Sequence, residues 1–273
     1  MIDPGEVLAW GGPKLRDLPW RSTRDPWAIL VAEVMLQQTQ AERVMPKWRA
    51  FLDAYPTPAA CAGASLGDVL RHWQGLGYPR RAKNLHATSQ RLVAEFDGAL
   101  PNDLDELLSL PGIGPYTSRA VLAFAFERDV AVLDTNIARV LARTVGERLT
   151  PKRAQATADS LVPAGDGWLW NQVLMDLGAT VCRPAPRCDE CPIRQRCQWQ
   201  LHDRPDPDPA AGSAGVSTRQ ARFEGSDRQA RGRLLRALHD GPRSVDDVDH
   251  RILTSLVDDG LVVVASAMVA LPD

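Results

Sequence analysis

Between Asp25 and about Gln200 the apolar positions recur at i, i+3 and i+4. They do so in Trp27–Leu36, Arg43–Phe51, Leu66–Trp73, Ala82–Phe96, Leu104–Leu108, Tyr116–Phe126, Ile137–Val145 and Trp168–Gly178. That rhythm marks one buried helix face and predicts helix after helix. Short connections carry Pro or Gly, as in Tyr55-Pro56-Thr57-Pro58 and Phe96-Asp97-Gly98. Nothing here alternates with period 2 and no repeat appears, so the body is predicted to be all-α. The pattern changes at His202. Asp203-Arg204-Pro205-Asp206-Pro207-Asp208-Pro209 predicts a linker over 202–220, semi-stiff at its prolines. Beyond it, Asp227–His239 and Asp249–Asp258 read as helices, with Leu261–Val264 and Ala267–Leu271 as a short hairpin. Residues 221–273 are thus expected to form a small winged-helix-like module.

One residue breaks the apolar pattern. Glu33 is the only charge in Ala28-Ile29-Leu30-Val31-Ala32-Glu33-Val34-Met35-Leu36, and Gln37-Gln38-Thr39-Gln40 follows at once. A carboxylate between apolar neighbours is costly to bury, and burial disfavours its charged form. A carboxylic acid kept partly protonated near neutral pH suits a general acid. A second carboxylate, Asp134, ends the apolar stretch Val130-Ala131-Val132-Leu133 and opens the helix from Ile137. It is placed as an N-cap, where capping bonds and the helix dipole are expected to keep it ionised. Between the two lies Leu110-Pro111-Gly112-Ile113-Gly114-Pro115-Tyr116-Thr117. Its glycines allow a tight turn and leave backbone N–H groups facing outward, suited to a phosphate at a helix start. Gly-x-Gly alone more often marks a plain structural turn.

Composition adds limits. The chain has 273 residues, 44% hydrophobic and 24% charged, with a formal net charge of −2. No global basic field advertises nucleic acid, although a local basic face suffices. The N-terminus lacks a basic segment followed by an apolar one, so no secretory signal is read there. The longest apolar run, Leu261–Leu271, is too short to cross a bilayer. The expected location is the cytoplasm, where disulfides are rare and clustered cysteines read first as metal ligands. Cys182, Cys188, Cys191 and Cys197 are spaced C-x5-C-x2-C-x5-C, while Cys61 stands alone. Zinc and an iron–sulfur cluster both fit that donor set.

The ordered motifs resemble a known family. Glu33-Val34-Met35-Leu36-Gln37-Gln38-Thr39-Gln40, Gly75-Leu76-Gly77-Tyr78, Leu110-Pro111-Gly112-Ile113-Gly114, Leu133-Asp134-Thr135-Asn136, Met175-Asp176-Leu177-Gly178-Ala179 and the cysteine quartet occur in that order. Over roughly residues 15–200 this is similar to the MutY-type adenine DNA glycosylases of the helix-hairpin-helix, Gly/Pro–Asp superfamily. The resemblance implies a six-helix domain (23–131) holding the hairpin and a cluster domain (1–22 with 132–201), with DNA between them. It implies a [4Fe-4S] cluster on the four cysteines and excision of adenine paired with 8-oxoguanine or guanine, the base being extruded from the duplex. By the same resemblance Glu33 protonates the departing adenine and Asp134 stabilises the cation at C1′, assisted by Tyr116 and Asn136. Trp20, Arg21 and Asp176 line the adenine pocket. Gln38, Thr39 and Tyr78 meet the opposite base, and Gly112 and Gly114 meet the backbone. The partner implied is duplex DNA with a mispaired adenine, met by a monomer on the nucleoid of a bacterial cell.

Departures from the family pattern are visible too. The first cysteine gap holds five residues where six are usual, Pro79 stands where a second aromatic is usual, and Thr135 replaces a common glycine. The hairpin has Tyr116 where lyase-active relatives place a Lys, and Pro101–Thr150 contains no Lys, which implies a monofunctional enzyme. The usual C-terminal domain, similar to a nucleoside-triphosphate pyrophosphohydrolase, is replaced by the small module. Its second helix is acidic and poorly matched to a groove, which suggests a stabilising or partner-binding role. The alternatives are a thymine or uracil mismatch glycosylase of the same superfamily and a non-catalytic DNA-damage binding module.

Overall fold

A computed structural model describes residues 2–216 and 222–273. Positions 217–220 of the expected linker and Ala221 of the expected module lie outside the described residues. In chain order the helices are α1 (Pro4–Gly11), α2 (Pro26–Leu36), α3 (Ala41–Ala54), α4 (Pro58–Ala62), α5 (Leu66–His72), α6 (Arg80–Glu95) and α7 (Leu104–Ser109). There follow α8 (Pro115–Phe124), α9 (Thr135–Val145), α10 (Pro151–Asp159), α11 (Gly167–Asp176), α12 (Gln198–Leu201), α13 (Asp227–His239) and α14 (His250–Asp258). Strands β1 (Arg243–Ser244), β2 (Val263–Ala265) and β3 (Met268–Ala270) form one small antiparallel sheet in the order β1-β3-β2. No helix among the described residues is long and apolar enough to cross a membrane.

The chain divides into two compact units. One comprises Met1–Arg24 with Gly114–Arg219; the other comprises Asp25–Ile113 with Gln220–Asp273. The division differs from the expected boundaries. The hairpin is cut after Ile113, so α8 counts with the cysteine-bearing unit, and the C-terminal module counts with the helices that follow Asp25.

In the unit from Asp25 to Ile113, α2 starts where Asp25 accepts from the N–H groups of Trp27 and Ala28 and Pro26 supplies a preset φ. Nine of its eleven residues are buried, Glu33 among them. That is why α2 shows no polar face in sequence. Indole N–H groups tie its surroundings: Trp27 donates to the Tyr55 carbonyl (2.9 Å) and Trp48 to the Ala28 carbonyl (2.8 Å). The C-terminal module folds as expected, with α13, α14 and the β2–β3 hairpin in place. It docks on this unit through its tail, where the Gly67 N–H donates to the Pro272 carbonyl at 2.8 Å.

In the other unit α9, α11 and α1 enclose a core of Val7, Ile137, Val140, Leu141, Trp170, Val173 and Leu177. Gly11 lets α1 approach α11: a Cβ there would lie 2.2 Å from Val173 Cγ1. Part of the expected linker is docked. Asp208 pairs with buried Arg143 (2.6 Å), Ala210 and Ser213 are buried, and Ser213 Oγ accepts from the Leu149 N–H (2.9 Å). An unpaired buried guanidinium is costly, and Asp208 supplies its counter-charge. Composition showed prolines and solvated charges in that segment and not the partner waiting for one of them. Gly11→Ala is expected to overpack the α1–α11 contact and lower the melting temperature by an amount equivalent to about 1–3 kcal/mol. Thermal unfolding followed by circular dichroism measures this.

Candidate active site

Asp134 is positioned by an asparagine. Asn171 Oδ1 accepts from the Val132 N–H (2.9 Å) and its Nδ2 donates to the Val130 carbonyl (2.9 Å), which holds the extended segment before Asp134. Asp134 then caps α9, with Oδ1 accepting from the Ile137 N–H at 2.7 Å. Its other oxygen accepts from Asn136 Nδ2, also at 2.7 Å. Part of the residue's surface reaches solvent, but the carboxyl lies deep enough that desolvation governs it. Burial pushes it above the ordinary carboxylate range, against the pull of the Ile137 and Asn136 donors and of Arg139. Capping alone would lower the value; here desolvation outweighs the caps and raises it.

The helix continues the chain of contacts. Asn136 Oδ1 accepts from Arg139 Nη2 (2.8 Å), and Arg139 also donates to the carbonyls of Gly178 (2.7 Å) and Cys182 (2.6 Å). Gly178 sits in a π-helical turn, Leu177–Val181, that extends α11. A Cβ at Gly178 would lie 2.6 Å from both Asn136 Cβ and the Asn136 carbonyl, so only glycine allows this approach. One turn on, Arg143 donates to Cys182 Sγ (3.4 Å) and to the carbonyls of Arg183 (2.7 Å) and Pro184 (3.0 Å). One face of α9 therefore links the carboxylate to the cysteine loop.

Cys182, Cys188, Cys191 and Cys197 line one cavity, with Val140, Arg143, Val181, Ile193 and Trp199 among its walls. Among the described residues no three His, Cys, Asp or Glu side chains are grouped as a single metal ion would require. Burial pushes the Cys191 thiol up to about 12 and raises Cys182 and Cys197 as well. Arg143 and Arg139 pull the Cys182 thiol back down, and a bound metal would favour the thiolate form of all four.

In the same unit Trp20 and Arg21 lie buried in a short 3₁₀ turn. Arg21 reaches Asp176 through two nitrogens, both at 2.8 Å, and Arg16 adds its N–H (2.9 Å) and Nε (2.6 Å). Burial raises the Asp176 carboxyl, but Arg21 and Arg16 more than reverse this and hold it below the ordinary range. Gly114 is the N-cap of α8, and Tyr116 lies half-buried in that helix's first turn.

The other unit holds Glu33, Gln38, Thr39, Tyr78 and Gly112. Glu33 is 4% exposed. Beyond the end of α2, Gln38 adopts a left-handed conformation (φ 56°) and is exposed; Tyr78 does the same (φ 48°) and is half-buried. Buried Arg81, which the sequence reading overlooked, joins these turns. Its Nη1 meets the carbonyls of Val34 (2.9 Å), Met35 (2.9 Å) and Gln37 (2.6 Å). Its Nη2 meets Thr39 Oγ1 (3.2 Å) and the carbonyls of Leu76 and Gly77 (3.0 Å each). A cation on the last carbonyls of a helix satisfies groups that no intrahelical donor can reach. Burial lowers Arg81 to about 10. The only sequence signal was an arginine three residues beyond Gly-Leu-Gly-Tyr's last turn position, Tyr78, among several others. Gly112 (φ 73°) rests on Asn84, whose Nδ2 would lie 2.6 Å from a Cβ at that position. Glu33 and Asp134 thus belong to separate compact units.

Residues 31–164, which include both carboxyls, match the HhH-GPD superfamily of base excision DNA repair proteins. Over 279 residues the chain is 42% identical to an adenine DNA glycosylase of Mycolicibacterium smegmatis, covering 96% of this chain and 92% of that one. An adenine DNA glycosylase of Mycobacterium tuberculosis (H37Rv) is 43% identical over 245 residues, covering 87% and 78%. The chain belongs to the adenine DNA glycosylase family. It is therefore a glycosylase of base excision repair, a hydrolase of N-glycosyl bonds. Among solved structures, this glycosylase resembles a thermostable thymine-DNA glycosylase with TM-score 0.70 and 30% identity, over 73% of this chain and 95% of that one. An endonuclease III in a non-covalent DNA complex aligns with TM-score 0.65 and 22% identity over 74% and 99%, which shows the shared fold. The helical glycosylase fold expected from sequence is present.

A folded pKa above the unfolded one means that ionising Asp134 costs stability as pH rises through that range. Asp134→Asn keeps a capping oxygen and removes the charge. It is expected to raise the melting temperature near neutral pH, with the gain fading as pH falls towards the ordinary Asp value of about 3.9. Thermal unfolding across pH checks this, and a uniform loss of stability would contradict it.

Proposed function

We propose that this glycosylase removes adenine mispaired with 8-oxoguanine or guanine from duplex DNA, acting as a monomer and leaving an abasic site. The observation that carries the reading is that a chain of this family holds both a buried Glu33 and, as the cap of α9, the carboxyl of Asp134. Glu33, inside an apolar helix, is suited to hold a proton and deliver it to N7 of the leaving base. Asp134 is suited to stabilise the positive charge developing at C1′, as in two-carboxylate glycoside hydrolysis. Asn136 donates to Asp134 and steadies its orientation, and Tyr116 assists from the first turn of α8. Water then completes the hydrolysis. Trp20 stacks against the extruded adenine, while Arg21 and Asp176, locked to each other, frame that pocket. Gln38, Thr39 and Tyr78 contact the opposite base, and the Gly112 and Gly114 turn meets a phosphate.

Cys182, Cys188, Cys191 and Cys197 would hold a [4Fe-4S] cluster. The cluster, when bound, would cross-link the loop and add no chemistry to the bond cleavage. Arg143 and Arg139 would offset the negative charge of the thiolates. What supports this reading is that all four cysteines line one cavity, with a first gap one residue shorter than usual. Purified protein is expected to be brown and to contain iron and sulfide without zinc; colourless protein holding zinc would refute the assignment.

Duplexes holding A:8-oxoguanine, A:G, T:G and U:G, incubated with enzyme and then treated with alkali, test the function. Strand breaks are expected only in the adenine duplexes and only after alkali. Breaks in T:G or U:G would instead support a thymine or uracil enzyme, and no breaks at all a binding module. Glu33→Gln is expected to slow cleavage by at least about 10²-fold with DNA binding retained. With Tyr116 in place of a lysine, borohydride should trap no protein–DNA adduct.

A further inference from the structure

The C-terminal module touches the base-reading turn of its own unit. Arg228, in the first turn of α13, donates from Nη1 to the Tyr78 hydroxyl at 2.6 Å. Its guanidinium lies 5.6 Å from the Tyr78 ring centre and 5.1 Å from that of Phe223. Arg81 stands 5.5 Å from the Tyr78 ring, so two guanidinium groups contact one tyrosine. Phe223 is 50% exposed, a large aromatic left at the surface beside a cation. The module is also fastened close by. Lys83 Nζ donates to the Asp259 carbonyl (2.6 Å), Arg80 pairs with the Asp259 carboxylate (3.4 Å), and Gly67 takes the Pro272 carbonyl so closely that a Cβ would lie 2.6 Å from it.

The charge of the two module helices separates their roles. The second, with its flanking caps, carries Asp249, Asp258 and Asp259 against Arg251, but Asp227–His239 carries four arginines against one aspartate. An exposed aromatic ring beside an arginine, on a basic helix, is the composition of a surface that stacks bases and follows a phosphate backbone. Tyr78 anchors that surface to the Gly75-Leu76-Gly77-Tyr78 turn.

We propose that the module extends the DNA-reading surface, with Arg228 as a positioning residue for Tyr78 and Phe223 as a stacking contact for the strand opposite adenine. The proposal rests on reading Tyr78 as a contact to the opposite base. It assigns the module a role in telling 8-oxoguanine from guanine, in place of the stabilising role that its second helix suggested.

The test uses the full chain. Arg228→Ala, Arg228→Lys, Phe223→Ala and Tyr78→Phe are assayed by single-turnover cleavage and equilibrium binding on A:8-oxoguanine and A:G duplexes. Arg228→Ala and Tyr78→Phe are each expected to cut the preference for 8-oxoguanine by about tenfold, their combination no further, and Arg228→Lys to restore part of it. Phe223→Ala, which alters only an exposed side chain, is expected to weaken binding of both duplexes by about tenfold at unchanged melting temperature. Unchanged preference in Arg228→Ala, additive losses in the Arg228–Tyr78 pair, or wild-type binding by Phe223→Ala would overturn the proposal. Failure of the functional reading looks different: wild-type enzyme itself would leave both adenine duplexes intact.

Discussion

The bond between the Asp134 carboxylate and the start of α9 is the constraint around which the cysteine-bearing unit is arranged. A buried carboxylate needs donors, and the head of a helix offers them already oriented. Once Asp134 caps α9, the helix phase is set, and Asn136, Arg139 and Arg143 fall on one face at i+3 and i+4 spacing. Asn136 then donates to Asp134, Arg139 ties Asn136 to the Gly178 and Cys182 carbonyls, and Arg143 reaches the sulfur of Cys182. Bonded groups thus run from the cysteine loop to the Asp134 carboxyl. The desolvation that raises Asp134 is the stability cost of burying that carboxyl at the helix head.

The other unit solves a similar problem with a cation. The last carbonyls of α2 point away from any helical partner, and Arg81 gathers them together with those of the Gly75–Tyr78 turn. That fixes Gln38 and Tyr78 in left-handed conformations, which only a well-braced turn sustains in residues with side chains. Glu33 at the buried part of α2 and Gln38 at its exposed end are therefore set by the same short helix. Arg228 adds a second cation at Tyr78, brought from 150 residues away in sequence.

Much of the fold was legible in the chain. The helices from Trp27 to Gly178 follow their apolar spacing, because a one-sided core leaves that trace. Three helices, besides the four-residue α12, left none. α1 has eight residues with a single charge, Glu6, α4 has only five residues, and α10 is short and mostly polar. Their boundaries come from Pro at the first turn and a side-chain cap, signals too common to stand alone. The docking of part of the linker left no trace for a related reason: nothing in Pro205–Pro209 marks Asp208 as the partner of a buried arginine.

What the sequence determined by itself was the order of elements, the identity of the two carboxyls, the cysteine loop and the family to which the chain belongs. Each of these is written in residue type and local spacing. Tertiary structure decided which arginines are structural: Arg21, Arg81, Arg139 and Arg143 are buried, while Arg80, Arg233 and Arg236 remain exposed. It also reversed the expected pull on Asp134 and placed the module beside Tyr78. The physical reason is common to all three. Desolvation and ion pairing depend on what surrounds a group in space, and those surroundings come from segments far apart along the chain.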